Sequence, residues 1–403
     1  MECTTFRILA ACLVLAGCAS GDQKTAEPGV GPATAGTPGT TQSPTGNPAA
    51  VTGPAGSAAP ASPAPSSPTA PSTPGTPPPP AGRPSQPSAA GAPAAPTTPV
   101  TPAAPMTTPT PDGVVFPGAN WETKTPAEAG FDAAKLEAAA ASLLMSLPGR
   151  QCFAVFRNGY LVYEKYYTGD AHTKNAGYST SKSFGSTLVG MAVTQGLFKT
   201  DDLVKTLVPD TTVGANVQIK HLLTMTGHID PPGTAFDYGM GQMLLGNLAN
   251  AIANKSGMTI SQFFEKNLKT SLEFQDIDWG GGRFISFAGN VSTTCRDGAR
   301  LGHLWANKGS WKGQKLISDA YYNEATMAPF PMANAGYGYN FWLNVAYSRT
   351  KRVSKSFAAI GANAQYIIIV PELQLVITSY GNDPSDQMMG GPSIGGLVLD
   401  AML

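Results

Sequence analysis

The stretch Cys152-Phe-Ala-Val-Phe-Arg157-Asn-Gly-Tyr160-Leu-Val-Tyr-Glu-Lys165 decides the fold class. Its two halves are rich in aromatic and β-branched residues and alternate with a period of two, which is typical of strands. Between them lies Asn158-Gly159. Both residues tolerate the positive φ of a type I′ turn, so the pair is the strongest short-range indication of a β-hairpin. The stretch therefore predicts two antiparallel strands.

Strand patterns return at the other end of the sequence. Residues 365–370 and 374–380 flank a Pro371-Glu372 turn, and a last helix is expected from about Ser393. Between the two strand regions the periodicity is helical. The predicted helices span residues 133–145, 187–195, 243–256, 260–268 and 296–307. This order predicts an α/β (α+β) fold, in which one antiparallel sheet is built from both chain ends, is flanked by helices and carries an inserted, mostly helical subdomain.

Composition separates this folded part from a long preceding segment. Of the 36 prolines in 403 residues, 25 lie between Pro28 and Pro111, where Arg83 is the only charged residue. Such a segment cannot bury enough apolar area to offset the entropy of ordering it. We expect residues 18–112 to form a disordered tether and residues 113–403 to form one domain. The net charge of zero, without a basic run, argues against nucleic acid as a partner.

The first residues predict export. A ten-residue apolar run from Ile8 to Gly17 is too short to span a bilayer as a permanent helix, and it reads as a signal peptide over residues 1–17. Leu15-Ala16-Gly17-Cys18 resembles the lipobox of bacterial lipoproteins, which implies lipid on Cys18 and a membrane-anchored protein in the periplasm or at the cell surface. An ordinary secretory peptide cleaved near Ala19 is the alternative.

Two cysteines remain in the predicted domain, Cys152 and Cys295. In an oxidising compartment they could form one disulfide. Two separately buried thiols are the other possibility, because the sequence does not show whether the two residues meet.

The motif Ser179-Thr-Ser-Lys182 stands just before an apolar helical run. Residues three apart share a helix face, so the Ser179 hydroxyl and the Lys182 amine can meet. A serine becomes a good nucleophile when a base takes its proton, and a lysine can do so once its pKa falls towards 7. The alternative is a helix cap. A second copy of the motif, at residues 348–351, reads as a polar turn and is attributed to chance.

Residues 120–403 resemble the serine β-lactamase and penicillin-binding-protein superfamily, specifically its class C-like esterases and 6-aminohexanoate-dimer hydrolases. The Ser-x-x-Lys motif is followed in order by segments similar to those of the family. These are Ile219-Lys-His-Leu-Leu-Thr224, Pro232-Gly-Thr-Ala-Phe-Asp-Tyr238, Arg296-Asp297, Tyr337-Gly-Tyr-Asn-Phe-Trp342 and Gly361-Ala-Asn-Ala-Gln-Tyr366.

The resemblance implies roles for individual residues. Ser179 would be the acylated nucleophile, Lys182 its proton acceptor, and Tyr238 the group that passes the proton to the leaving group, a task helped if Lys182 lowers the phenol pKa. The amides of Ser179 and Ala362 would form the oxyanion hole. The substrate pocket would contain Gly361, Tyr339 and Trp342, although both aromatic residues could instead be ordinary core residues.

Two departures from the family pattern bear on the substrate. The family often has Tyr-x-Asn, but here Met240 replaces the Asn, and the third motif reads Ala359-Ile360-Gly361 without its basic residue. In penicillin-recognising members that basic residue meets the substrate carboxylate in a contact worth about 1.5 to 3 kcal/mol. Its loss favours substrates without a carboxylate at this position.

The predicted function is therefore that of a lipid-anchored serine hydrolase that acts through an acyl-enzyme on small esters or amides, short oligoamides included. The alternatives are a catalytically impaired envelope binding protein, or a penicillin-binding D-alanyl carboxypeptidase or β-lactamase. No metal or other cofactor is expected, because the four histidines show no pair at metal-ligand spacing.

Overall fold

The computed structural model describes residues 112–280, 285–348, 350–384 and 391–403. The predicted signal peptide, the lipidation site at Cys18 and all but the last residue of the predicted tether lie outside the described residues. Within the described ranges, no helix combines the length and the apolar character needed to cross a membrane.

A six-stranded antiparallel sheet forms the centre of the fold. Its strands are β1 (Arg150–Arg157), β2 (Tyr160–Tyr166), β8 (Trp342–Leu343), β9 (Phe357–Gly361), β10 (Gln365–Val370) and β11 (Leu375–Gly381), in the order β2-β1-β11-β10-β9-β8. The smaller sheets contain β3 (Asn175–Ala176), β4 (Asp278–Trp279), β5 (Val291–Thr293), β6 (Ser310–Trp311) and β7 (Gln314–Lys315). Because the last strand pairs with the first, the central sheet joins both chain ends, as predicted.

Helices fill the middle of the chain and both faces of the sheet. They are α1 (Ala133–Ser146), α2 (Ser181–Thr194), α3 (Val204–Leu207), α4 (Ile219–Leu223), α5 (Tyr238–Met243), α6 (Gly246–Ser256), α7 (Ile260–Phe264), α8 (Cys295–Ala306), α9 (Asp319–Ala325) and α10 (Gly391–Asp400). Two 3₁₀ turns, Tyr178–Thr180 and Pro371–Leu373, and one π-helical turn, Glu265–Lys269, complete the set. The α/β class and the inserted helical region are confirmed.

The first hairpin forms for the reason that the sequence indicates. Asn158 and Gly159 both have positive φ, 52° and 81°, as a type I′ turn requires. Gly159 is needed for a second reason, since a Cβ there would lie 1.8 Å from the carbonyl oxygen of Val115.

The strand period of two gives the central sheet two buried faces. In β1, Phe153 and Val155 join a core with α1 and α10, whereas Ala154 and Phe156 join a larger core with α2 and α8. A fully buried side chain of this size contributes roughly 1.5 to 3 kcal/mol through the hydrophobic effect. Burial on both faces explains why the central strands are almost continuously apolar.

A disulfide between Cys152 and Cys295 ties β1 to the first residue of α8, with 6.4 Å between the Cα atoms. Of the two possibilities that the sequence leaves open, the structure has the bonded one. The bond links parts of the chain that are 143 residues apart in sequence.

Helix α2 begins at Ser181, six residues before the predicted start. The early turn was missed because its polar residues Lys182, Ser183 and Ser186 are buried, so no apolar period marks it. The predicted helix over residues 243–256 corresponds to α6, which begins at Gly246, and the short helix α5, which ends at Met243, was not predicted.

Candidate active site

Ser179 lies in the 3₁₀ turn that leads into α2, and its side chain is half-buried. The preceding residue, Tyr178, has a φ of 46°, a conformation that is uncommon for a bulky side chain. Ser181 holds this turn, because its hydroxyl donates to the carbonyl of Tyr178 at 2.7 Å and accepts from the amide of Val291 at 3.0 Å. Strain beside a polar, accessible hydroxyl is typical of functional sites.

Lys182 lies on the same side of the helix as Ser179 and is buried, with 1% of its surface exposed. Its Nζ is 2.9 Å from Ser179 Oγ, 2.8 Å from the carbonyl oxygen of Ala288 and 3.2 Å from Oε1 of Gln242. The spacing of three residues thus brings the hydroxyl and the amine into direct contact.

Burial lowers the pKa of the Lys182 amine to about 8, because the charged form loses its hydration. A substantial share of this amine is therefore neutral near pH 8, and a neutral amine can accept a proton from the adjacent serine.

Tyr238 is the first residue of α5, whose N-terminus is capped by the side chain of Asp237 on the amide of Met240 at 3.0 Å. The Nζ of Lys182 stands 4.8 Å from the centroid of the Tyr238 ring, and Ser179 lies near enough to the phenol to lower its pKa in part. Tyr238 therefore meets both residues of the motif.

The electrostatics of Tyr238 differ from the expectation that Lys182 lowers the phenol pKa. Burial raises the pKa of Tyr238 to about 12, and the hydrogen bond to Ser179 offsets only part of this rise. The amine lies over the face of the ring. The phenol consequently stays protonated at neutral pH and can donate as well as accept a hydrogen bond.

Gly361 ends β9 beside the 3₁₀ turn Tyr178–Thr180, called the nucleophile turn below. A Cβ at this position would lie 2.3 Å from the carbonyl oxygen of Gly177 and 3.1 Å from the amide nitrogen of Ser179. Ala362 follows directly and is half-buried. The backbone of this strand end and the amide of Ser179 thus approach each other as two oxyanion-hole donors would.

An aromatic cluster, formed by Phe236, Tyr238, Tyr337 and Trp342, lines one side of this arrangement. The ring of Trp342 is 5.8 Å from that of Tyr238 and 5.0 Å from that of Tyr337. Phe236 stands 5.2 Å from Tyr337. Trp342 therefore lies beside Tyr238 at the candidate site.

Tyr339 does not line this cluster and lies in the core instead. Its ring packs 5.4 Å from that of Tyr321, and its hydroxyl donates to Glu324 at 2.8 Å. Position 337 rather than 339 presents its ring to Tyr238, at 6.2 Å. Tyr337 forms an isolated bridge with Trp342 and Tyr339 lies in the bend between them, so residue type alone does not show which ring meets Tyr238.

Sequence reasoning missed two partners of Lys182. The amide of Gln242 lies four residues after Tyr238, so the helical spacing could have revealed it. The carbonyl of Ala288 belongs to a loop about a hundred residues away, and a main-chain group carries no mark in the sequence. Met240, where the family pattern has Asn, is 56% exposed, and Ala359 is fully buried in the core.

The described part of the chain contains no group of three His, Cys, Asp or Glu side chains that could hold a metal ion. What it brings together is a serine hydroxyl, an amine whose pKa is lowered by burial, a phenol, and the backbone amide of Ser179 beside the end of β9. Such a set suits acyl transfer, in which a hydroxyl attacks a carbonyl and the developing oxyanion is held by hydrogen bonds.

The β-lactamase family model matches residues 138–391, which is more than half of the chain. The chain belongs to this family, whose members are serine hydrolases. No curated protein matches it in sequence.

Solved structures with the same fold support this assignment. One from Bacillus anthracis, described as a 6-aminohexanoate-dimer hydrolase, is 15% identical, with a TM-score of 0.54 over 70% of this chain and 84% of that one. A penicillin-binding-protein homologue from Caulobacter crescentus is 14% identical, with a TM-score of 0.54 over 67% and 97% of the two chains. A family VIII carboxylesterase is 16% identical, with a TM-score of 0.54 over 66% and 96%.

Proposed function

We propose that this protein is a serine hydrolase that works through an acyl-enzyme, with Ser179 as nucleophile and Lys182 as general base. The single observation that carries the proposal is the 2.9 Å contact between Ser179 Oγ and the buried amine of Lys182. In the first step the Ser179 proton passes to Nζ as Oγ bonds to the substrate carbonyl carbon. Tyr238 passes its proton to the leaving group as the carbonyl re-forms, and it takes back the proton that Nζ received. In deacylation, water gives a proton to the neutral Lys182 amine as it attacks the acyl carbon, and Ser179 Oγ regains that proton as the acid leaves.

The oxyanion of each tetrahedral intermediate would be held by the amides of Ser179 and Ala362. One such donor is worth about a hundredfold to a thousandfold in rate. The close approach of Gly361 to the Ser179 amide supports this role, because it brings the strand end to the place where the oxygen develops.

We propose small esters or amides as substrates, short oligoamides included. Ala359 is buried and apolar where penicillin-recognising relatives carry a basic residue, so that contact to a substrate carboxylate is absent. The aromatic cluster offers an apolar wall. The solved structures described as a carboxylesterase and as a 6-aminohexanoate-dimer hydrolase have the same fold and support this class.

Intact-mass labelling by a fluorophosphonate tests the mechanism. The wild type should gain one label, Ser179→Ala should gain none, and Ser348→Ala, which alters the second Ser-x-x-Lys motif, should label like the wild type. An unlabelled wild type, or equal labelling of Ser179→Ala, would overturn the mechanism. Turnover of p-nitrophenyl esters of rising chain length, D-alanyl peptides and aminohexanoate oligomers then defines the substrate class.

The second candidate is an envelope binding protein that has lost turnover, or a penicillin-binding enzyme. Met240 and Ala359, the two departures from the family pattern, favour the first of these. A wild type that binds peptidoglycan fragments without labelling at Ser179 would support it. Stable acylation by penicillin, or rapid nitrocefin hydrolysis, would instead support the penicillin-binding enzyme or a β-lactamase.

For location we propose an exported protein anchored to a membrane by lipid on Cys18, on the strength of Leu15-Ala16-Gly17-Cys18. The disulfide supports an oxidising compartment. Incorporation of an alkyne-labelled fatty acid by the wild type and its loss in Cys18→Ala would agree with the proposal. Equal incorporation by both would contradict it.

A further inference from the structure

The three neighbours of the Lys182 amine differ in what they can do. The carbonyl oxygen of Ala288 and the Oε1 atom of Gln242 can only accept hydrogen bonds, whereas the Ser179 hydroxyl can also donate one. An ammonium has three N–H groups and could donate to all three. A neutral amine has two N–H groups and one lone pair. If the two obligate acceptors take both N–H groups, the lone pair is left for the Ser179 hydroxyl.

We infer that Gln242 is a positioning residue that, with the Ala288 carbonyl, occupies both N–H groups of the neutral Lys182 amine and thereby directs its lone pair at the hydroxyl proton of Ser179. This inference rests on the proposed function, since it concerns how the general base is aimed. Gln242 touches Lys182 at 3.2 Å and acts on the reaction through it.

Helix α5 carries Gln242 to this position. Tyr238 and Gln242 are four residues apart and so share one helix face, which presents the phenol and the amide to Lys182 together. The helix is held close by Gly241, where a Cβ would lie 2.8 Å from the Cα of Met225. The amide that the Tyr-x-Asn pattern places at position 240 is thus supplied two residues later.

The groups facing Lys182 explain why a neutral amide suits this position. The titratable phenol that faces it is Tyr238, on α5, and Tyr337 lies behind Tyr238. Residues 285–290, the described part of the loop that carries Ala288 next to β5, contain no titratable side chain.

The carboxylate of Asp237, at the start of α5, is engaged by the Met240 amide and lies 3.5 Å from His228. Burial is what lowers the lysine pKa. An amide orients the amine without adding the negative charge that would raise that pKa again.

The test uses the full chain and three variants: Gln242→Glu, Gln242→Leu and, as a matched control, Gln314→Glu at the exposed position of strand β7. The rate of fluorophosphonate labelling at Ser179 is measured from pH 6 to pH 10.5. Melting temperatures show that each variant is folded.

The two substitutions at position 242 should act differently. A carboxylate beside the amine favours the ammonium, so Gln242→Glu should move the acid limb of the pH profile upward by one to three units. A carboxylate still accepts a hydrogen bond from the amine. The labelling rate of this variant should therefore approach the wild-type rate at pH values above its shifted acid limb. Gln242→Leu leaves the amine misdirected, so its rate should fall at least tenfold at every pH, without recovery. Gln314→Glu should match the wild type.

The inference would be overturned if the acid limb of the labelling-rate profile did not move in Gln242→Glu. It would also be overturned if Gln242→Leu reached the wild-type labelling rate at high pH. A wild type that takes no label at Ser179 would overturn the proposed function instead. In that case the inference is still tested by carbamylation of Lys182 with cyanate, measured as a function of pH. This reaction needs a neutral amine but no enzymatic turnover. A higher amine pKa in Gln242→Glu than in the wild type supports the contact, and equal values overturn it.

Discussion

The end of strand β9 lies so close to the nucleophile turn that a Cβ on Gly361 would stand 3.1 Å from the amide nitrogen of Ser179. The same atom would be 2.3 Å from the carbonyl oxygen of Gly177, a separation that real Cβ atoms do not reach. Glycine is thus required at the place where the strand meets the turn. It is the one residue of the family's third motif that this chain keeps.

Gly361→Ala should therefore lower kcat on a p-nitrophenyl ester by at least a hundredfold. The methyl group must push the strand away from the turn and so separate the two oxyanion donors, one of which is worth about that factor. The control is Gly246→Ala in α6, where a Cβ would enter open space. It should leave kcat unchanged and, because alanine is the better helix former, slightly raise the melting temperature. A Gly361→Ala enzyme within threefold of the wild type would contradict the oxyanion-hole assignment.

The rate of hydrolysis should show a single acid limb centred near pH 8. Below that pH the Lys182 amine is protonated and cannot accept the serine proton, so the rate should fall tenfold per pH unit. Burial keeps the pKa of Tyr238 at about 12, so the phenol should produce no second limb below pH 10. Initial rates, corrected with Ser179→Ala for spontaneous ester hydrolysis, check both statements.

Lys182→Arg is the matched control for this profile. A guanidinium keeps its charge at every accessible pH and cannot act as the base. The variant should stay at background activity across the whole range. A bell-shaped wild-type profile with a basic limb below pH 9.5 would show that Tyr238 ionises more readily than its burial indicates.

The sequence predicted those parts of the fold and site that depend on local pattern. The hairpin at Asn158-Gly159 follows from turn chemistry, and the meeting of Ser179 with Lys182 follows from helical spacing. Both relationships span only a few residues, so no long-range geometry was needed.

The parts that escaped prediction depend on tertiary contacts. Tyr339 and Tyr337 have the same residue type two positions apart, and packing alone decides that position 337 faces Tyr238. The Lys182 amine donates to the carbonyl oxygen of Ala288, which lies in a loop about a hundred residues away. The rise in the Tyr238 pKa is a consequence of burial, which no spacing reveals.

The buried lysine should make stability depend on pH. In the unfolded chain this lysine keeps its proton up to about pH 10.5, whereas in the folded protein it loses the proton near pH 8. The unfolded state therefore binds more protons between these values, and the free energy of unfolding rises with pH. Relative to Lys182→Met, the wild type should gain about 2.5 kcal/mol between pH 7 and pH 10. Urea denaturation at several pH values measures this difference.

Ser179→Ala is the control for that measurement, because it removes activity but keeps the buried amine. Between pH 7 and pH 10, its free energy of unfolding should rise relative to that of Lys182→Met by the same amount as that of the wild type. The difference in the free energy of unfolding between wild type and Lys182→Met could stay constant from pH 7 to pH 10. That result would mean that the pKa of the Lys182 amine in the folded protein is not near 8.

Trp342 and Tyr339 offer a matched pair for testing which aromatic residue meets the substrate. Trp342 is half-buried beside Tyr238, whereas Tyr339 is buried against Tyr321 with its hydroxyl on Glu324. Trp342→Ala should raise KM for long-chain p-nitrophenyl esters at least fivefold, and less for the acetate, because a longer acyl group loses more apolar contact. Tyr339→Phe should leave KM unchanged and lower the free energy of unfolding by about 1 kcal/mol through its lost hydrogen bond. The opposite pattern, with KM sensitive to Tyr339 and not to Trp342, would move the substrate pocket away from the aromatic cluster.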